Sequence, residues 1–402
     1  MTPDADLIIV GGGPAGVMAG LLFARAGCTV RILEKHADFF RDFRGDTVHP
    51  STMEILDQLG MLERFLARPH NRLDKAELRI AGGAYTIGDL SHLRTATPFI
   101  AMMPQWDFLD FLRGEAKAFP GFQLEMEASV DSFIEEKGRV TGVSLAGGRE
   151  LHAPLTIAAD GRASIIRNIL PVEDLGAPMD VFWFRVGKRA EETGGLRGNV
   201  ERGRLLVMID RGDYWQCAFL IPKGMAEQYQ ARGIAAIREE VAAAAPEIDL
   251  AELDDISDLH LLTVKVDRLT TWHRPGLLAI GDAVHAMSPI GGIGINLAIQ
   301  DAVAAANILA GPLARGEPVD RLLGKVQDRR MFPTRVIQAA QVAAQSRVIG
   351  RLLKPGPPLT QAPRIVRLLN RFPMLRRIPG RFIGLGVRRE RVRSPEAPQR
   401  SP

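Results

Sequence analysis

Residues Asp6 to Lys35, DLIIVGGGPAGVMAGLLFARAGCTVRILEK, restrict this chain more than any other stretch. Leu7 to Val10 is a short uncharged apolar run that ends directly in glycines, the pattern of a parallel strand covered on both faces. Gly11, Gly13 and Gly16 then fit G-x-G-x-x-G. In that spacing the first glycine permits a tight turn, the second lets backbone approach a pyrophosphate, and the third lets helix and strand pack closely. Pro14 suits the first helical turn, where its missing N–H costs nothing. Val17, Leu21, Leu22 and Ala24 continue into a helix whose positive N-terminal end would face the pyrophosphate, and Gly27 stops it. Thr29 to Leu33 reads as the second strand. Glu34, eighteen residues beyond Gly16, stands where a carboxylate accepts hydrogen bonds from a ribose diol. Ala15 inside the turn and Lys35 next to Glu34 belong to the same candidate site. Glycine-rich turns are common, but strand, helix, second strand and terminal carboxylate in register make this a dinucleotide site. The motif leaves NAD and FAD both open.

With 402 residues, 46% hydrophobic and 24% charged, the chain has room for two or more domains and a sizeable core. Its first residues, MTPDADLIIV, lack a basic segment followed by a long apolar one, and no run of about 18 uncharged apolar residues occurs. A cytoplasmic protein without a spanning helix is expected. Cys28 and Cys217 are too few for a disulfide framework and have no partner at metal-ligand spacing, so they read as packing residues and no metal site is assigned.

The net charge of +4 is unevenly spread: eleven Arg and two Glu from Arg364 onward give +9 and leave −5 for residues 1–363. An acidic body with a basic end, and no recognised module, argues against nucleic-acid binding. Within the end, Ile365, Leu368, Leu369, Phe372, Leu375, Ile378, Phe382 and Ile383 alternate with arginines, interrupted by Pro373 and Pro379. Such a segment either packs its apolar side on the body or makes weak contact with an anionic membrane surface.

Further along, Ser51 or Thr52 is a candidate N-cap for a helix through Ile55, Leu56 and Leu59. Ahead of it lies Arg44-Gly45-Asp46, whose Arg44 is either a solvated cation or one facing cofactor phosphates or the incoming reductant. A hairpin is expected over Leu78 to Ile87, and a helix from Gln105 to Phe119. Leu155 to Ala159 and Gly276 to Ile280 are two more apolar runs, ending in Asp160-Gly161 and Gly281-Asp282. Between them, Val181–Val186, Arg204–Asp210, Tyr214–Ile221 and Leu259–Val266 read as antiparallel strands, with one alanine-rich helix near Ala226 to Ala244. A long helical pattern, Arg321 to Leu353, is expected to kink or break at Pro333.

Three glycine-bearing strand ends, near residues 11, 160 and 281, point to one cofactor larger than a mononucleotide. Over roughly residues 5 to 310 the sequence resembles the FAD-dependent aromatic monooxygenases of the p-hydroxybenzoate hydroxylase type, with all three motifs in family order. The resemblance implies an α/β fold: an FAD-binding Rossmann-like parallel sheet, a substrate domain of mainly antiparallel sheet, and a C-terminal helical region. The FAD-binding domain would comprise residues 1–75, 101–173 and 273–315, and the substrate domain a hairpin at 76–100 and the sheet at 174–272; helices and basic tail would fill 316–402. It places Gly11, Gly13 and Gly16 on the FAD pyrophosphate and Glu34 on the adenosine ribose. Asp160-Gly161, with Ser164 and Arg167 following, matches the motif associated with both FAD and the reduced nicotinamide cofactor. Asp282 would accept a hydrogen bond from the ribityl chain, and Gln105 would touch the ribityl or phosphate region.

The loop SPIGGIGIN, Ser288 to Asn296, is expected beneath the flavin ring. Gly292 and Gly294 would let backbone lie against a flat ring, and N–H groups of Gly294, Ile295 and Asn296 would stabilise negative charge on reduced flavin. Pro289 stiffens the approach, so Pro289 and Gly292 are the candidate catalytic positions. His285 and His49 read more readily as structural than as catalytic groups. In the family, NADH or NADPH reduces FAD, O2 adds at C4a, and the hydroperoxide hydroxylates an electron-rich ring. The implied partners are a small aromatic substrate (phenolic, polyketide or quinone-precursor-like) and O2, in a monomer or homodimer. No second G-x-G-x-x-G follows a strand, as suits a nicotinamide bound in a surface groove. A halogenase would carry W-x-W-x-I-P, which Tyr214-Trp215-Gln216 and the distant Ile221-Pro222 do not match. An FAD-dependent reductase or dehydrogenase acting on a lipophilic substrate remains the other reading.

Overall fold

The structure, a computed structural model, describes residues 3–40, 47–189 and 195–398. Five apolar strands remote from one another in the chain assemble into a parallel layer. Their order in space is Leu277–Ala279, Leu155–Ala158, Leu7–Val10, Val30–Leu33 and Phe122–Glu125, with the short antiparallel strand His273–Arg274 at the outer edge. Val10 pairs with Leu33 on one side and Ala158 on the other, and Ala158 pairs with Ala279. Because these strands run the same way, Gly11, Asp160 and Gly281 all emerge at one edge of the sheet. Leu7–Val10 and Leu155–Ala158 are buried throughout, which explains their uninterrupted apolar sequences.

Helices Pro14–Arg25 and Gly294–Ala314 pack against each other and against this sheet. Both are rich in buried alanine, and small side chains allow close approach. The apolar stretch Ile290–Ala314 is long enough to cross a bilayer, yet 78% of its most apolar window is buried inside the protein. It is the core helix of this fold.

The second layer is a seven-stranded sheet in the order His260–Leu262, Met179–Gly187, Tyr214–Pro222, Arg204–Asp210, Leu196–Glu201, Lys75–Ile80 and Gly83–Asp89. Only the contact between Leu196–Glu201 and Lys75–Ile80 is parallel. Period-two alternation gives it two faces. Phe182, Phe184, Trp215, Cys217 and Phe219 pack under helices Ala226–Ala231 and Gly233–Ala244. Val181, Trp183, Val207, Ala218 and Leu220 face inward, in a cluster that includes Ile290.

Local differences from the sequence reading have simple causes. The helix Pro50–Gln58 is capped by His49, with Pro50 in its first turn, so neither Ser51 nor Thr52 is the cap. The Thr52 hydroxyl donates instead to Asn296 across the fold at 2.7 Å. Helix Asp320–Ala344 continues through Pro333, and the irregularity falls later, as a π-helical turn at Gln345–Ile349. A proline removes one ladder bond, and here Arg330, Thr334 and Ile337 hold the surrounding turns in the interior. Strand Leu196–Glu201 has no strand pattern in its sequence, because Arg-Gly-Asn at its centre breaks the apolar alternation; its neighbours supply the pairing.

The basic end of the chain is ordered by the body. Helices Arg364–Arg371 and Pro373–Leu385 lie against strand Gly83–Asp89. Beyond them, Arg389 pairs with Glu54 at 2.6 Å, and Glu390 pairs with Arg329 at 2.7 Å and Arg330 at 3.4 Å. The backbone of Arg391 and Arg393 bonds both ends of the Asn307 amide.

Candidate active site

The three motifs touch. Gly11 is left-handed, and a Cβ there would lie 2.5 Å from the Ala159 carbonyl oxygen and 2.7 Å from the Asp160 Cα. A Cβ on Gly281 would lie 3.0 Å from that of Ala15. Gly16 backs directly onto Gly11, 1.9 Å separating its would-be Cβ from the Gly11 oxygen. Gly13 differs: it caps helix Pro14–Arg25 with extended backbone, and a Cβ there would meet no atom within 4 Å among the described residues. Pro14 occupies the first turn as its N–H deficit predicts. The open side of Gly13 therefore lies in front of a helix N-terminus, whose unpaired N–H groups suit an anion.

Glu34 ends its strand with Oε2 accepting the Gly12 N–H at 2.8 Å and Oε1 accepting the His36 N–H at 3.1 Å. Lys35 beside it is exposed. Arg44 lies outside the described residues. Gln105 is the first residue of helix Gln105–Ala116 and is half-buried.

At the second motif, Gly161 is left-handed and Asp160 Oδ2 accepts the Ile165 N–H at 3.3 Å. Asp160 Oδ1 is buried with no hydrogen-bond partner among the described residues. Burial raises the Asp160 carboxyl, and bonds from Ser164 and Ile165 with the charge of Lys35 offset that only in part. Arg167 joins the second motif to the third: it donates to the carbonyls of Ala283 and Asp282 and to Asp267 at 2.8 Å. Asp282 also pairs with Arg162 at 3.1 Å. Neither Arg162 nor Asp267 stands out in the sequence, because each acquires its partner only through the strand order.

Behind Gly281 lies a buried polar network. Asp301 Oδ2 accepts the Gly281 N–H at 3.1 Å and bonds His285 Nε2 at 2.6 Å, while Oδ1 accepts from Arg330 at 2.8 Å. His285, Asp301 and Arg330 are each fully buried. His285 thus supports the third motif from below, away from the open edge.

The loop from Ser288 to Asn296 is held on both sides. Asn296 Oδ1 accepts the His49 N–H at 2.9 Å, and its amide donates to the carbonyls of Thr47 and Gly292. Gly291 and Gly292 are left-handed, and a Cβ on Gly292 would collide with Thr47 Oγ1 at 2.3 Å. Gly292 is thus required by its neighbour Thr47 as well as by its backbone conformation. Pro289 precedes these glycines in right-handed helical geometry. Gly294 starts the core helix, Ile295 is half-buried and Asn296 buried. From the other side, Gln338, Gln341 and Gln345 form one stripe of the long helix. Gln338 donates to the Ala286 carbonyl, Gln341 to those of Ser288 and Ile290, and Gln345 to the Ser288 hydroxyl. The i, i+3, i+7 spacing of these glutamines puts them on one helix face, but which segment that face meets is decided only by the packing.

His49 is also buried, and its Nδ1–H donates to the Ile383 carbonyl at 2.8 Å. Burial lowers its pKa from 6.5 to about 4, against the opposing effect of that bond. The unfolded chain therefore binds more protons in that interval, so this contribution to stability is full above pH 6.5 and declines as pH falls toward 4. A series of denaturant midpoints should fall across this window, and His49→Gln should flatten the slope while lowering the plateau. An unchanged slope would show that His49 does not titrate there. Both cysteines are buried, and burial, then Asp6, pushes the Cys28 thiol up to about 12; burial likewise raises Cys217. They are packing groups.

The geometry fits a dinucleotide: an open glycine before a helix N-terminus, a carboxylate at the second strand end, and an orphaned buried oxygen beside them. The model of the FAD binding domain family matches residues 4–340. The chain belongs to that family. It is an FAD-dependent oxidoreductase of the monooxygenase group. Over 405 aligned residues, covering 97% of this chain and 94% of the relative, it is 33% identical to 6-methylpretetramide 4-monooxygenase of Streptomyces rimosus. It is 28% identical over 370 residues to 12-dehydrotetracycline 5-monooxygenase/anhydrotetracycline 6-monooxygenase of Streptomyces rimosus subsp. rimosus, covering 88% of this chain and 70% of that one. The fold matches p-nitrophenol 4-monooxygenase of Pseudomonas putida DLL-E4 with a TM-score of 0.78, at 19% identity, over 96% of this chain and all of the other.

Proposed function

We propose that this FAD-dependent monooxygenase uses NADH or NADPH to hydroxylate an electron-rich aromatic ring of a polyketide-like substrate. The observation that carries the reading is the meeting of Gly11 with Asp160 and of Gly281 with Ala15 at one sheet edge, with the apolar face of Trp183 and Val207 in one cluster with Ile290 of the glycine loop. The similarity to 6-methylpretetramide 4-monooxygenase supports the substrate class. When bound and reduced, FAD supplies activation of O2 and transfer of one oxygen atom.

The protein's part is binding, orientation and exclusion of water. The N–H groups at the start of helix Pro14–Arg25 hold the pyrophosphate, Glu34 the adenosine ribose and Asp282 the ribityl chain. N–H groups of Gly294, Ile295 and Asn296, at the positive end of the core helix, would stabilise negative charge on a bound flavin. Pro289 and Gly292 would set the height of that loop, and the apolar inward face of the seven-stranded sheet, which clusters with Ile290, would keep water from it. A cytoplasmic monomer or homodimer belongs to the same proposal.

The test is a screen of phenolic and polyketide aromatics for stimulation of NADH or NADPH oxidation by the FAD-loaded protein. A true substrate should accelerate oxidation, and its product should carry one atom from isotopically labelled O2. Turnover that continues unchanged without oxygen, or a product free of label, would replace this reading with a reductase or dehydrogenase.

A further inference from the structure

We propose that the outer face of the helical hairpin at residues 364–385 docks on an anionic lipid bilayer. Eleven large hydrophobic side chains are exposed among the described residues, and five of them lie on this hairpin: Met374 at 74%, Ile378 at 68%, Ile365 at 52%, Phe372 at 50% and Leu368 at 44%. Helical spacing groups them. Ile365, Leu368 and Phe372 follow one stripe of Arg364–Arg371 and its cap, and Met374 and Ile378 follow one stripe of Pro373–Leu385. Arg364, Arg367, Arg371, Arg377 and Arg381 are exposed beside them.

The hairpin is a fixed body, so its apolar side is not simply folded inward. Val366 and Leu385 fill the interior. Gly380 sits so close to strand Gly83–Asp89 that a Cβ would lie 2.0 Å from the Asp89 carbonyl oxygen, and Gly384 packs on Leu90, Leu93 and Pro50. Arg376 ties the corner by donating to the Leu369 carbonyl at 2.8 Å. The inner contacts thus hold the five apolar side chains in place on the outside.

Charge selects the occupant. From Arg329 through Arg389 the chain has fourteen Arg and Lys and no Asp or Glu, so the segment that carries the hairpin is strongly cationic. Rigid apolar side chains ringed by arginines match the interface of a bilayer with anionic headgroups, into which the aliphatic tips insert while the guanidinium groups meet phosphate. A second copy would present the same cationic face and repel it.

The experiment is co-sedimentation of the full-length, FAD-loaded protein with vesicles of phosphatidylglycerol or phosphatidylcholine. The protein should pellet with phosphatidylglycerol, and recovery should fall by about tenfold in high salt and in the double variant Met374→Asp, Ile378→Asp. The pair Arg371→Glu, Arg377→Glu should lower it comparably; FAD content and thermal unfolding identify the folded variants to be compared. Absence of pelleting, equal pelleting with phosphatidylcholine, or undiminished pelleting of a folded variant overturns the proposal. Retention on a polyglutamate matrix without vesicle binding overturns it in favour of an acidic protein partner. Concentration-dependent dimerisation lost in the variants, again without vesicle binding, overturns it in favour of self-association. None of these readouts depends on oxygen insertion, so this inference stands or falls apart from the proposed reaction.

Discussion

Asp301→Asn is expected to cost about 3–5 kcal/mol of stability, the range for removing one partner of a buried ion pair. The substitution preserves shape and deletes the charge that faces Arg330 at 2.8 Å and His285 at 2.6 Å, all three being buried without access to water. Glu390 at 3.4 Å from Arg330 cannot make up the loss alone. The comparison is an exposed pair: Arg64→Ala breaks the 2.6 Å bond to Glu115, with Arg64 59% exposed and solvent screening the pair, and should cost far less. Both variants are measured by denaturant unfolding at one fixed FAD concentration, because ligand binding shifts apparent stability. Equal losses would dismiss the network as a structural centre. Burial by itself would raise the Asp301 carboxyl, but His285 and Arg330 outweigh it and hold the group below the usual carboxylate range. Its contribution is therefore complete above the ordinary carboxylate value and is lost as pH falls through the lower folded one. That window lies below the one in which His49 acts.

Gly13→Ala should weaken FAD binding by about a hundredfold, near 2.7 kcal/mol, while leaving the fold intact. The backbone at Gly13, φ −72° and ψ −176°, suits any residue, and a Cβ meets nothing within 4 Å among the described residues. The methyl group would project into the space that the pyrophosphate must enter. Gly16→Ala is the contrasting case, since its Cβ would lie 1.9 Å from the Gly11 oxygen and must displace backbone. Flavin absorbance of the purified proteins and titration of apoprotein with FAD separate the two: the first variant is folded and pale, the second poorly folded. Wild-type affinity in folded Gly13→Ala would place the pyrophosphate elsewhere.

The amino-acid sequence by itself pointed to the nucleotide half: short apolar runs ending in glycine or Asp-Gly have the pattern of covered parallel strands, and Pro14 after Gly13 suits the first turn of a helix. It also displayed the antiparallel wall at Val181–Val186 and Tyr214–Ile221, whose strands extend to Met179–Gly187 and Tyr214–Pro222 in the fold. These signals are local, because each depends on spacing within a few residues. Tertiary structure alone decided which polar groups meet. Strand order brings Arg167 to Asp267, and helix packing brings Arg330 to Asp301 and the glutamine stripe to the loop at Ser288. No periodicity encodes such pairs, since their partners come from segments that approach only after the sheet has formed. The same is true of the basic tail. Alternating arginine and aliphatic residues are visible in the chain, but only the close approach of Gly380 and Gly384 to their neighbours decides which apolar side chains turn inward and which remain outside.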